Sequence, residues 1–239
     1  MIKKQNIKTF FILYLIVFSC QKEKESNFEL KVKVDGLKKG ILYLQKKEDT
    51  IFTTLDSALV VGEKEVILNT YLDKSELLYL RMDKNDFREH LFPFFAAKGI
   101  TKVNSDIETF SFESEITGSE QQKLYETYQA MLKRFQNESL TLIKDEFDAR
   151  KDNDTSALNT ILNRNDKLLK QRYAYSINFA ILNNNSEISP YITINDIPDT
   201  SIKFLDSIYG NLTDRIKSSY YGEQLKELVE TRKNEIKEK

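Results

Sequence analysis

Residues 28–35, Phe28-Glu29-Leu30-Lys31-Val32-Lys33-Val34-Asp35, alternate apolar and polar without a break. A period of two marks a half-buried antiparallel strand, with one face on a core and the other in water. Moving outward, Gly36 and Gly40 bracket a turn before Ile41-Leu42-Tyr43-Leu44, and Lys46 to Thr50 read as the next turn. Ile51 to Val61 is a further strand stopped at Gly62. Shorter strands are expected around Val66–Leu68, Leu77–Met82, Ile100–Val103 and Phe110–Phe112, with turns at Asp83-Lys84-Asn85-Asp86, Gly99 and Gly118. Short strands at this spacing predict a β-sandwich or barrel.

After Gly118 the period changes. Ser119 with Gln122 three residues on has the form of a capping box. Leu124, Tyr128, Met131 and Phe135 then recur on one helical face, and the pattern continues through Leu142, Ile143 and Phe147. Lys151-Asp152-Asn153-Asp154 ends that helix, and a second runs from Ser156 to Leu182. Asn183-Asn184-Asn185 is a break, and Pro190 and Pro198 bound a short connection. A third helical region starts near Thr200, is interrupted at Gly210 and Gly222, and frays over Arg232 to Lys239. The expected fold class is therefore α+β: an N-terminal antiparallel β-sandwich or barrel over residues 28–117, followed by a C-terminal α-helical domain over residues 118–239.

Ahead of both, Lys3, Lys4 and Lys8 precede an apolar run, Phe10 to Phe18. A basic start and a run of this length fit a secretory signal and fall far short of the roughly 20 residues a spanning helix needs. The run ends in Val17-Phe18-Ser19-Cys20, which resembles a lipobox. Residues 1–19 are expected to be a lipoprotein signal peptide, with cleavage between Ser19 and Cys20 and lipidation of Cys20. The alternative is an ordinary secretory signal followed by a chance Cys. Residues 20–27 then form the lipidated Cys and a polar tether, Gln21 to Asn27. The resulting localisation is the cell envelope, lipid-anchored to the outer membrane, facing either the periplasm or the cell surface.

Composition excludes several chemistries. Removing residues 1–19 takes the formal net charge from −1 to −4, because that stretch carries three Lys and no acid. A mildly acidic body has no basic footprint for nucleic acid. Cys20 is the only Cys, so no Cys-x-x-Cys exists and thiol redox chemistry has no residue to run on. His90 is the only His and reads as a surface residue at a strand end before Leu91-Phe92-Pro93-Phe94-Phe95. A zinc site or a Ser-His-Asp triad would have to use it. No glycine-rich phosphate loop is present, and no cofactor is expected.

The order of several stretches resembles one family. They are Phe28 to Leu44 (FELKVKVDGLKKGILYL), Leu55-Asp56-Ser57-Ala58 before Gly62, and Thr117-Gly118-Ser119-Glu120-Gln121-Gln122. Tyr175 to Tyr191 and Ser218-Ser219-Tyr220-Tyr221-Gly222-Glu223-Gln224-Leu225 complete the set. This layout is similar to a domain of unknown function found in Bacteroidota lipoproteins, often ahead of a thioredoxin-like thiol–disulfide oxidoreductase domain. The oxidoreductase role is not carried over, since no residue here matches the redox motif.

Other constellations are weaker. Asp152-Asn153-Asp154-Thr155-Ser156 has the opening of a calcium loop but Ala157 and Asn163 where Gly and Glu are required, so a helix N-cap is expected instead. Asp56-Ser57-Ala58 and Asp206-Ser207-Ile208 resemble O-glycosylation acceptors at Ser57 and Ser207. Asn137-Glu138-Ser139, Asn153-Asp154-Thr155 and Asn211-Leu212-Thr213 match the eukaryotic N-glycosylation pattern, which says little in a bacterial lipoprotein. Phe92, Phe94 and Phe95 read as a core strand or an inter-domain plug rather than an exposed patch. The functional expectation is a non-catalytic binding or scaffolding lipoprotein with a protein partner in the envelope. The alternatives are an accessory of a separate thioredoxin-like oxidoreductase, or a hydrolase using a carboxylate pair.

Overall fold

The structure, a computed structural model of the chain, describes residues 25–48, 50–62, 64–86, 88 and 90–237. Ser19, Cys20 and the rest of the expected signal peptide lie outside the described residues, as do Gln21 to Lys24 of the expected tether. Among the described residues eight strands come first: β1 (Phe28–Asp35), β2 (Lys39–Glu48), β3 (Ile51–Val61), β4 (Val66–Thr70), β5 (Glu76–Asp83), β6 (His90–Ala96), β7 (Gly99–Asp106) and β8 (Glu115–Thr117). The helices that follow are α1 (Glu120–Lys151), α2 (Thr155–Leu182), α3 (Ile188–Asp196), α4 (Ile202–Asn211), α5 (Asp214–Lys217) and α6 (Tyr220–Lys237). The molecule is α+β, a two-sheet sandwich followed by helices.

One sheet has the order β4-β1-β7-β8 and the other β3-β2-β5-β6. The alternation in β1 is obeyed: Phe28, Leu30, Val32 and Val34 are buried between the sheets and Lys31 and Lys33 point out. The sandwich is not wholly antiparallel. β1 runs parallel to β7, with Phe28 opposite Gly99 and Asp35 opposite Asp106, because β7 returns to the first sheet after the chain has built the second. Phe110–Phe112 form turns, not a strand. Asp106 Oδ1 accepts from Glu108 N at 2.8 Å, which bends the chain, and Phe110 drops into the core against Phe92. The strand expected there is supplied by β8 instead.

The second sheet is buried on both faces at β5 and β6. Leu78, Leu80, Phe92 and Phe94 face the sandwich interior, while Leu77 and Phe95 face the helices. The phenylalanine run is therefore a core strand and a plug between the two layers at once. The period of two in a strand sends Phe94 and Phe95 to opposite sides.

Among the helices, the connection between Pro190 and Pro198 proves to hold α3. Pro190 sits in its first turn, where a missing N–H costs nothing. The breaks placed at Gly210 and Gly222 fall at Leu212-Thr213 and Ser218-Ser219. Gly222 lies inside α6 because the backbone of α5 crosses it, and a Cβ there would overlap the Ile216 carbonyl. Among the described residues the charged end stays helical, α6 reaching Lys237, where fraying from Arg232 was expected. Among the described residues, no helix is long and apolar enough to cross a membrane.

Candidate functional site

The site is built where the helices meet β6. Phe95 lies on an edge strand, so its backbone N–H and C=O point away from the sheet. The start of α1 satisfies both: Gln122 Oε1 accepts from Phe95 N at 2.7 Å, and Ser119 Oγ donates to Phe95 O at 3.3 Å. Ser119 also caps α1 by accepting from Gln122 N at 3.2 Å. The capping box is thus half formed, because the Gln122 side chain is spent on the strand. Tyr221 Oη accepts from Leu77 N at 3.1 Å and closes the neighbouring position.

Rings surround Phe95: Tyr125, Tyr191 and Tyr221 lie with centroids 6.1, 5.6 and 6.0 Å away. Burial pushes the Tyr125 hydroxyl up to about 12 and raises Tyr128, Tyr191 and Tyr221 as well. Tyr128 Oη and Ser176 Oγ share a hydrogen bond of 2.8 Å that ties α1 to α2. Sequence reading found Tyr128 on the helical stripe but not the ring cluster, which is assembled from four separate elements.

Beyond this junction α1 and α2 continue as a long antiparallel hairpin. At about 1.5 Å per residue, the 32 residues of α1 span about 48 Å. α3 runs back along α2: Ser189 Oγ donates to Ala180 O at 2.7 Å near its start. Asp196, at its end, is raised by burial, opposed by its hydrogen bond to Tyr128 and by the charge of Arg172. So α3 fills the seam between α1 and α2 as far as Arg172. There an open groove of about 650 Å³ begins. Its apolar lining is Leu132, Phe135, Leu168 and Leu169, and its amides are Gln129, Gln136 and Asn165. Among the described residues, Lys133 and Arg172 are the charged ones that line it. Farther along, the helical stripe is only partly covered: Leu142 is buried, but Ile143 and Phe147 are 59% and 69% exposed.

A second hollow, of about 450 Å³, lies beside Lys74, Lys98 and Arg215. Two of these cations are already engaged in holding the fold. Lys74 Nζ donates to Ser218 O at 2.5 Å, and Arg215 donates to Glu187 Oε1 at 2.7 Å. Buried Glu187 also accepts from Gln121 Nε2 at 2.5 Å, linking α1, α3 and α5. Glu187, which is buried, and Asp196, which is half-buried, stand at opposite ends of α3, about 13 Å apart along its axis. A glycosidase pair requires about 5–9.5 Å.

The residues singled out from sequence are not brought together. His90 opens β6, its Nε2 2.8 Å from Asp86 Oδ2, and that hydrogen bond lowers the Asp86 carboxyl to about 2. Asp154 caps α2, accepting from Ala157 N at 2.9 Å, as the N-cap reading of that loop expects. Among the described residues, no group of three or more His, Cys, Asp or Glu could hold a metal ion. Ser57 and Ser207 are both exposed, one on β3 and one on α4. The groove itself escaped the sequence reading. Its signal was present in the second set of apolar residues, Leu162 and Leu169, seven apart on α2 and outside the buried row of Ile161 and Leu168.

Fold and site together define an α+β chain in which a β-sandwich carries a helical layer and a projecting two-helix arm. Residues 28–125 match the model of a domain of unknown function (DUF4369). The matched stretch covers the sandwich and the beginning of α1, through Ser119, Gln122 and Tyr125, and stops before the groove. No curated protein matches the chain.

Proposed function

We propose that the protein is a lipid-anchored lipoprotein of the cell envelope, attached through Cys20, whose body binds or scaffolds a partner without catalysing a reaction. The observation that carries the binding half is the groove that opens where α3 ends: an apolar seam continuous with the core yet uncovered. A soluble body rarely leaves such a seam open unless something occupies it. The anchoring half rests on the basic start, the apolar run and the Ser19-Cys20 junction. An acyl chain contributes about 0.8 kcal/mol per buried methylene, so the two or three chains of a lipoprotein Cys would make attachment effectively permanent.

Crosslinking in intact cells, combined with protease shaving, tests both halves. The reading expects a recovered envelope protein and a membrane-bound body; recovery of no partner contradicts the binding half. If the recovered partner is a thioredoxin-like oxidoreductase, the finer resemblance to Bacteroidota lipoproteins gains its support and the role becomes accessory to that enzyme. Cys20→Ser is expected to block lipidation and processing. A variant that still fractionates with membranes as a mature lipoprotein contradicts the anchor.

A further inference from the structure

The arm is a bundle with one helix missing. Over its proximal half, the seam between α1 and α2 is filled by α3, a helix that buries Ile188 and Ile192 and ends in Asp196 opposite Arg172. Past Asp196 the same two helices continue with the same apolar facing, and nothing in the chain's described residues covers them. The occupied half shows what the seam accepts: an apolar helical face with a carboxylate set against a basic edge. The open half repeats those terms. Its floor is Leu132, Phe135 and Leu169, its charged lining residues are Lys133 and Arg172, and Lys133 makes no ion pair among the described residues.

We propose that the open seam takes an amphipathic α-helix of a partner protein, apolar toward Leu132, Phe135 and Leu169 and acidic toward Lys133. The helix would continue the line of α3 and complete a three-helix arm, a helix-in-groove mode of recognition. Charge favours this over a second copy, since two grooves face to face would set Lys133 and Arg172 against their own counterparts. The proposal rests on the binding reading above and names the class of partner.

The test uses the full-length lipidated chain in nanodiscs and a labelled three-heptad peptide with Leu on one face and Glu on its flanks. Its counterpart carries Lys in place of Glu. Fluorescence anisotropy is expected to show the Glu peptide binding at least about tenfold more tightly than the Lys peptide. Lys133→Glu and Leu169→Ser, both at exposed positions, are each expected to weaken the Glu peptide about tenfold with thermal melts unchanged. Equal binding of both peptides, or of neither, overturns the proposal. So does stoichiometric dodecanoate binding that displaces the Glu peptide, which makes the seam an acyl pocket. A dimer in solution that Leu169→Ser dissolves also overturns it. The binding reading falls on a different result, the absence of any crosslinked protein in cells.

Discussion

The two halves of the α1–α2 hairpin share one helical period and differ in what lies against them. In the proximal half, Tyr125, Tyr128, Ile177 and Ala180 are buried beneath α3, α6 and β6. In the distal half only Leu142, Ala149, Ile161 and Leu168 are buried, by each other, while Leu140, Ile143, Phe147, Leu162 and Leu169 are more than half exposed. Periodicity assigns residues to a common face. Whether that face becomes core depends on a third element, and helical stability in proteins comes mostly from such packing.

The largest expected effect tests the proximal half. Phe95→Ala removes the ring at the centre of the junction and should destabilise by about 3–5 kcal/mol in urea unfolding. A cost under about 1 kcal/mol would mean the helical layer does not depend on β6. Next comes alkaline pH. An unperturbed tyrosine ionises near pH 10, whereas burial holds Tyr125 at about 12 and raises Tyr128, Tyr191 and Tyr221 too. Above pH 10 the unfolded chain has therefore lost protons that the folded chain retains. The resulting contribution is fully present below pH 10 and is lost as pH climbs through the folded values. Unfolding midpoints should hold steady to about pH 9.5 and then fall. Four tyrosines titrating normally in ultraviolet absorbance would break the contrast.

Smaller effects belong to the arm. Leu142→Ala should cost about 2–3 kcal/mol, near the low end for a buried leucine, because a two-helix core collapses readily around the gap. Phe147→Ser, five residues away on the exposed side, should shift stability by no more than about 0.5 kcal/mol. If the two substitutions cost the same, Phe147 is covered in solution.

Local rules made the sandwich legible. The alternation of β1 and the switch of period at Ser119 each act within a few residues, and both hold in the structure. The turn expected over Lys46 to Thr50 is shorter than read, because β2 runs on to Glu48 and pairs there with Ile51 of β3. What stayed hidden depends on distant partners. The parallel pairing of β1 with β7 joins residues about seventy apart, and no local pattern encodes it. α3 was obscured by Pro190 and Pro198, which read as breaks although one fits a first helical turn. Gly222 looked like an interruption because glycine often ends helices, yet here it answers the close approach of Ile216. The groove was hidden for a related reason. The stripe through Phe147 shows which residues share a helical face, but no local pattern shows whether a third element covers that face.

Amide hydrogen exchange on the intact chain tests the central claim most directly, since protection reports local opening. The account predicts strong protection in peptides from residues 120–132 and 172–196, and markedly faster exchange from residues 136–165. It predicts that the acidic helical peptide slows exchange in residues 129–143 and 162–172 alone. Uniform protection along both halves of the hairpin, with no change on adding the peptide, would contradict it.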